Sequence, residues 1–240
     1  MKEKNGNIKN ICYRYITAVF LIMIFLPMMQ NPIIIQSTVG QMIQTDDAII
    51  LVTGFGPWHT NDINPSGLAA IAMNNTTINE YKIIGFELPV DFQESVDQMV
   101  QAIDTYEPDL IISLGLAANA KNIRVEILAI NIRFDSLADK PFTTLRYIDK
   151  DGPLFLRSTL TIDESVQAIK QYTPSIKSYS AGLYICNTLF YQTIRYLNEH
   201  DKDIPMGFIH VPQITPTNPD GINLETIIHA IEACILANIT

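Results

Sequence analysis

Cationic side chains are scarce in this chain of 240 residues: Lys and Arg number 16 against 25 Asp and Glu, a formal net charge of −9. Residues 1–45 hold four of those cations and one anion, so the remainder carries 12 basic and 24 acidic groups, net −12. A body of that sign repels phosphate backbones, which excludes nucleic acid as a partner. Cysteine is scarce too, and three of them close one disulfide at most, which excludes a disulfide-stapled scaffold. No Cys-x-x-Cys spacing suits zinc, and neither a Walker loop nor a Gly-x-Gly-x-x-Gly fingerprint occurs, so no metal and no cofactor is expected. With 11 Gly, 13 Pro and 17% charged residues against 48% hydrophobic ones, the chain is neither disordered nor low-complexity, and it is long enough to build a substantial core.

The charge that is present sits unevenly. Lys2, Lys4, Lys9 and Arg14 precede a stretch, 15–29, without any charge, and the next charged residue is Asp46. A basic flank before a 15-residue apolar run is the layout of an export signal, and the run falls short of the roughly 20 residues that a spanning helix needs. We therefore read residues 1–45 as a signal peptide, with a retained N-terminal membrane anchor as the alternative, and residues 46–240 as the folded body. In either case the body lies outside, secreted or tethered; it is cytoplasmic only if the segment is not used.

From 46 onward, apolar runs alternate with helical periodicity. The run 48–55 is apolar throughout, as expected of a strand buried on both sheet faces. Asn64-Pro65 supplies an N-cap and a proline at the first helical position. Strands are expected over 82–90, 109–116, 122–132, 178–185 and 206–211, with helices over 65–73, 92–106, 161–172, 187–199 and 221–237. Residues 133–152 have no clear period and read as a surface loop that acts as a flap. The alternation predicts a single α/β domain of three layers, α/β/α, around a twisted, mostly parallel, mixed sheet.

In such sheets, sites form beyond the carboxyl ends of the strands. Cys186 ends an expected strand and opens a helix, where the dipole and free N–H groups favour thiolate; a buried, inert cysteine is the alternative. His210 sits at the carboxyl end of a strand two residues before Pro212, placed to act as a base or else as a core histidine with one hydrogen bond. Glu126 lies within an apolar strand, where a carboxylate is costly without a partner, unless the strand is an edge and the side chain faces water. A buried carboxylate beside an imidazole would hold its tautomer, the third role of a triad. His59, His200, His229 and Cys234 are weaker candidates, Cys234 as a packing residue of the last helix.

These segments resemble the pyroglutamyl peptidase I (pyrrolidone-carboxylate peptidase) family of cysteine peptidases. The matching blocks are Thr53-Gly54-Phe55-Gly56-Pro57, Asn64-Pro65-Ser66, Glu87-Leu88-Pro89-Val90, Pro108-Asp109 to Gly115, Glu126 with Ala129-Ile130-Asn131, Gly152-Pro153, Ser180-Ala181-Gly182 through Cys186-Asn187 to Tyr191, and Gly207-Phe208-Ile209-His210-Val211-Pro212. The resemblance implies an omega peptidase with a Glu126, Cys186, His210 triad that removes N-terminal pyroglutamate from peptides through a thioester. It also implies an apolar lactam pocket, carried here by Phe55, Trp58, Tyr184 and Ile185, and a homo-oligomer, often a tetramer in relatives. Two departures bear on that pocket. Ala118-Asn119-Ala120 stands where relatives carry Gly-Gly-Arg, and Trp58-His59 replaces Phe-Gly. Two other readings remain at this point: a silent relative that binds pyroglutamyl ligands, or a thiol hydrolase of another amide or ester.

Overall fold

A computed structural model describes residues 48–57, 63–135, 144–214 and 221–239. All of them belong to the unit Asp46–Thr240. The signal or anchor expected over 1–45, together with Trp58 and His59, lies outside the described residues.

The core of the molecule is a seven-stranded sheet. In chain order it takes in β1 (Ile49–Phe55), β2 (Thr77–Ile78), β3 (Tyr81–Leu88), β4 (Leu110–Leu116), β5 (Ile123–Glu126), β10 (Ser175–Ser178) and β11 (Met206–Val211), and its spatial order is β10-β5-β11-β4-β1-β3-β2. β3, β1, β4 and β11 run parallel, whereas β5 pairs antiparallel with β11 and parallel with β10. Every residue of β1 and of β11 is buried, as a strand covered on both faces requires.

Alternate residues of β1 feed two separate cores. Ile50 and Val52 join α1 (Pro65–Met73), α3 (Ile162–Ile169) and α5 (Leu224–Leu236) on one face, while Leu51 and Phe55 join α2 (Glu94–Tyr106) and α4 (Ile185–Glu199) on the other. The three-layer, mostly parallel mixed sheet is therefore as expected. So is the start of α1: Asn64 accepts a hydrogen bond from the Ser66 N–H at 3.1 Å, with Pro65 at the first helical position. α1 lies directly against β1 here, and a Cβ on Gly54 would lie 2.0 Å from the Ser66 carbonyl oxygen.

Three expectations change. The strand over 122–132 breaks at Ile127: β5 stays in the main sheet, and β6 (Leu128–Ile130) pairs with β9 (Phe155–Arg157) in a separate two-stranded ribbon. The strand expected over 178–185 lies instead at β10, Ser175–Ser178, and residues 179–184 form a loop in which Gly182 takes a left-handed conformation at φ +79. The stretch 133–152 is not one free flap either. β7 (Arg133–Asp135) and β8 (Thr144–Arg146) pair antiparallel, and residues 149–153 are anchored. There Asn131 donates to the carbonyls of Asp149 and Gly152 at 2.6 and 3.1 Å, Tyr191 donates to the Pro153 carbonyl at 2.7 Å, and Arg195 pairs with Asp149 at 2.9 Å. Among the described residues no helix is long and apolar enough to cross a membrane.

Candidate active site

β5 and β11 run antiparallel, with Phe208 opposite Glu126 and His210 opposite Arg124. Residues two apart on a strand share a face, so Glu126 and His210 are diagonal neighbours on the same side. There His210 Nδ1 donates to Glu126 Oε1 at 2.8 Å, between side chains separated by 84 positions. Glu126 is completely buried and His210 only 8% exposed. Pairing with His210 removes the water-facing alternative for Glu126, and a carboxylate that deep requires such a partner.

Cys186 is the second residue of α4 and half-buried. Gly115, at the end of β4, is opposite His210 in register, and a Cβ added there would sit 3.1 Å from Cys186 Sγ. The same Cβ would lie 2.8 Å from the Phe208 ring, so a side chain at 115 would crowd both the ring and the sulfur. The sulfur and His210 line the same cavity. With Nδ1 committed to Glu126, Nε2 is the ring nitrogen left for the thiol. Burial disfavours the charged imidazole, but the hydrogen bonds and negative charge of Cys186 and Glu126 outweigh it and push His210 up to about 9. The start of α4 carries no capping side chain, whereas α1 and α5 are capped by Asn64 and Asn223. Its first-turn N–H groups therefore stay available to a ligand.

The next residue, Asn187, was not singled out as functional by the sequence reading. Fully buried, it accepts from the Ile130 N–H at 2.9 Å and donates to the carbonyls of Ile130 and Ile132 at 2.8 and 3.1 Å. It thereby ties the nucleophile helix to the strand that continues from Glu126. Its only sequence signal is a polar residue inside an apolar helical face.

A cavity of about 370 Å³ opens beside the sulfur, lined by Phe55, Val90, Leu116, Tyr184, Ile185 and others, with Cys186 and His210 at its end. Three of the four expected pocket residues are thus brought together, and the fourth, Trp58, falls outside the described residues. Tyr184 is held by an edge-on contact with Phe92, with ring centroids 4.9 Å apart. Val90, Leu116, Asn64 and Ala181, which also line the cavity, were not expected, whereas Ala118 lines it as the departure at 118–120 suggested. Ala120, of the same departure, is buried. His229 pairs with Glu232 on the surface of α5, and His200 bonds back to the Tyr196 carbonyl, both away from this cluster. Among the described residues no group of His, Cys, Asp and Glu is arranged to hold a metal ion.

Thiol, imidazole and carboxylate at the carboxyl rim of a doubly wound sheet, beside an acyl-sized apolar cavity, define an α/β cysteine peptidase. Residues 48–240 match the family model described as pyroglutamyl peptidase. The chain is 34% identical over 197 residues to the pyrrolidone-carboxylate peptidase of Bacillus mycoides (strain KBAB4), covering 78% of this chain and 90% of that one. Against the enzyme of that name from Vibrio vulnificus (strain CMCP6) the identity is 33% over 200 residues, covering 78% and 91%. In three dimensions it is similar to the pyrrolidone carboxyl peptidase of Thermococcus litoralis, with a TM-score of 0.74, 27% identity and coverage of 80% and 93%. It is likewise similar to the pyroglutamyl peptidase I of Bacillus amyloliquefaciens, with a TM-score of 0.74, 29% identity and coverage of 81% and 96%. The chain belongs to the pyroglutamyl peptidase family.

Proposed function

We propose that this chain hydrolyses the N-terminal pyroglutamyl residue from peptides, with Cys186 as nucleophile, His210 as general base and acid, and Glu126 as the group that orients and charges His210. The observation that carries this reading is the Glu126–His210 hydrogen bond at 2.8 Å next to a sulfur at an uncapped helix start. The lactam ring, uncharged and compact, fills the apolar cavity against Phe55, Tyr184 and Ile185, with Trp58 assigned to the same pocket from the sequence.

The Cys186 thiolate attacks the carbonyl carbon of the pyroglutamyl residue, and its proton resides on His210. Charge develops on the carbonyl oxygen, where the first-turn N–H groups of α4 stabilise it. The C–N bond then breaks as His210 returns its proton to the departing amine, leaving a thioester on Cys186. Water, deprotonated by His210, adds to the thioester, and pyroglutamate leaves with regeneration of the thiol. Throughout, Glu126 keeps the ring in one tautomer and offsets the imidazolium charge.

Turnover of a chromogenic pyroglutamyl amide by the purified protein tests this. Rapid release of the chromophore supports the peptidase. Binding without turnover marks a silent relative, and inertness with activity on other acyl groups marks a different hydrolase. The charge pattern of residues 1–45 supports export of the body; recovery of the chain only from the cytoplasm with its N-terminus intact would refute that.

A further inference from the structure

His210 and Ala181 line a second cavity, of about 480 Å³, together with Arg124, Ser178, Tyr179 and Ser180. Cys186 borders only the apolar cavity and Arg124 only this one. The two spaces therefore meet at the imidazole. His210 is the group that protonates the departing amine, so the part of the peptide beyond the scissile bond must pass it, with the acyl part on the Cys186 side.

The walls of this cavity differ in chemistry from those of the first. Arg124 lies on β5 between Ile176 and His210 in register. Its Nε is buried and has no hydrogen-bond partner among the described residues. Arg124 also lines the cavity, and the planar fork of arginine matches a carboxylate bidentately. Ser178 and Ser180 add hydroxyls, and Tyr179, at 69% exposed, adds an aromatic face at the rim. The net charge of −12 on the body disfavours carboxylates at long range, so any preference for them must arise by direct contact.

We propose that this cavity is the subsite for the leaving portion of the substrate and that Arg124 makes it selective for a carboxylate there. The carboxylate is either the free C-terminus of a pyroglutamyl dipeptide or the side chain of an acidic residue after pyroglutamate. The inference rests on the peptidase reading and extends it from the acyl group to the group that departs.

The test compares pyroglutamyl-alanine, pyroglutamyl-alaninamide and pyroglutamyl-aspartic diamide, with the chromogenic amide as an independent measure of activity. The free carboxylate is expected to raise kcat/KM over alaninamide about tenfold, mainly through KM. That ratio should collapse toward one in Arg124→Gln and survive in part in Arg124→Lys. The aspartic diamide tells a terminal carboxylate from a side-chain one. A ratio near one in the native chain, with the chromogenic amide still cleaved, overturns the role of Arg124 and leaves the peptidase standing. If no pyroglutamyl compound is cleaved, the peptidase reading fails. Calorimetric binding of the three peptides to Cys186→Ala then decides about Arg124, equal affinities rejecting it.

Discussion

The start of α4 and the body of α5 each carry one cysteine, and the two environments are opposites. Cys186 is half-buried, next to His210, at a helix start with no capping side chain. Cys234 is fully buried among Val166, Ile169, Ile231 and Ile235, and burial pushes its thiol up to about 11 against a hydrogen bond with Ser165 that works the other way. Both thiols are on helices of one molecule. The contrast teaches that reactivity comes from what surrounds the sulfur: imidazole and free N–H groups in one case, hydrocarbon in the other.

The hardest strain on that contrast is to remove the reactive sulfur. Cys186→Ser is expected to lower kcat/KM at least about a thousandfold, since a hydroxyl beside the same imidazole is a far poorer nucleophile. Turnover at the native rate would falsify the assignment and put the two cysteines on equal terms. Glu126→Gln should follow, with a loss of about a hundredfold or more and an unchanged far-UV circular dichroism spectrum, because the amide no longer supports the imidazolium. A collapsed spectrum would mean that Glu126 matters for folding instead.

Selectivity toward an alkylating agent gives a smaller, graded readout. In the native protein, iodoacetamide should label Cys186 at least tenfold faster than Cys234, as peptide mapping would show, and denaturation should abolish the difference. Equal labelling contradicts the burial contrast. The pH dependence sharpens it further. His210 is raised from its ordinary value to about 9. The stability it contributes is complete below about pH 6.5 and is lost as pH climbs through about 9. Activity should fall on the same alkaline limb as the proton leaves the ring; a limb centred near 6.5 would show that Cys186 and Glu126 do not hold it. The least effect is expected of Cys234→Ala, about 1–2 kcal/mol of stability lost by chemical denaturation through the small cavity left behind, with kcat/KM within twofold. A large loss of activity there would break the division of labour between the two helices.

Much of the sheet was legible because its central strands are covered on both faces. The apolar run 48–55 and the blocks at 109–116 and 206–211 need no knowledge of their neighbours to be read as strands. The outer pair was not. β5 is only four residues long before the chain leaves the sheet at Ile127, and β10 stops at Ser178, short of the left-handed Gly182. Neither break follows from alternation of side chains. Similarly, Phe55, Tyr184 and Ile185 could be proposed as pocket residues from their family blocks. Val90 and Leu116 look like ordinary strand residues until β1, β4 and α4 are packed side by side.

Composition, apolar periodicity and capping residues by themselves determined the layer architecture and the three chemical groups to suspect, since each depends on residues within a few positions of one another. The union of those groups was decided only in three dimensions. Glu126 meets His210 because β5 runs antiparallel to β11 in the one register that sets Phe208 opposite Glu126, and Cys186 comes to the same cavity from the start of α4, its sulfur packed close to Gly115. Strand direction and register are settled by the packing of the whole sheet, and a shift of one residue would turn Glu126 to the opposite face.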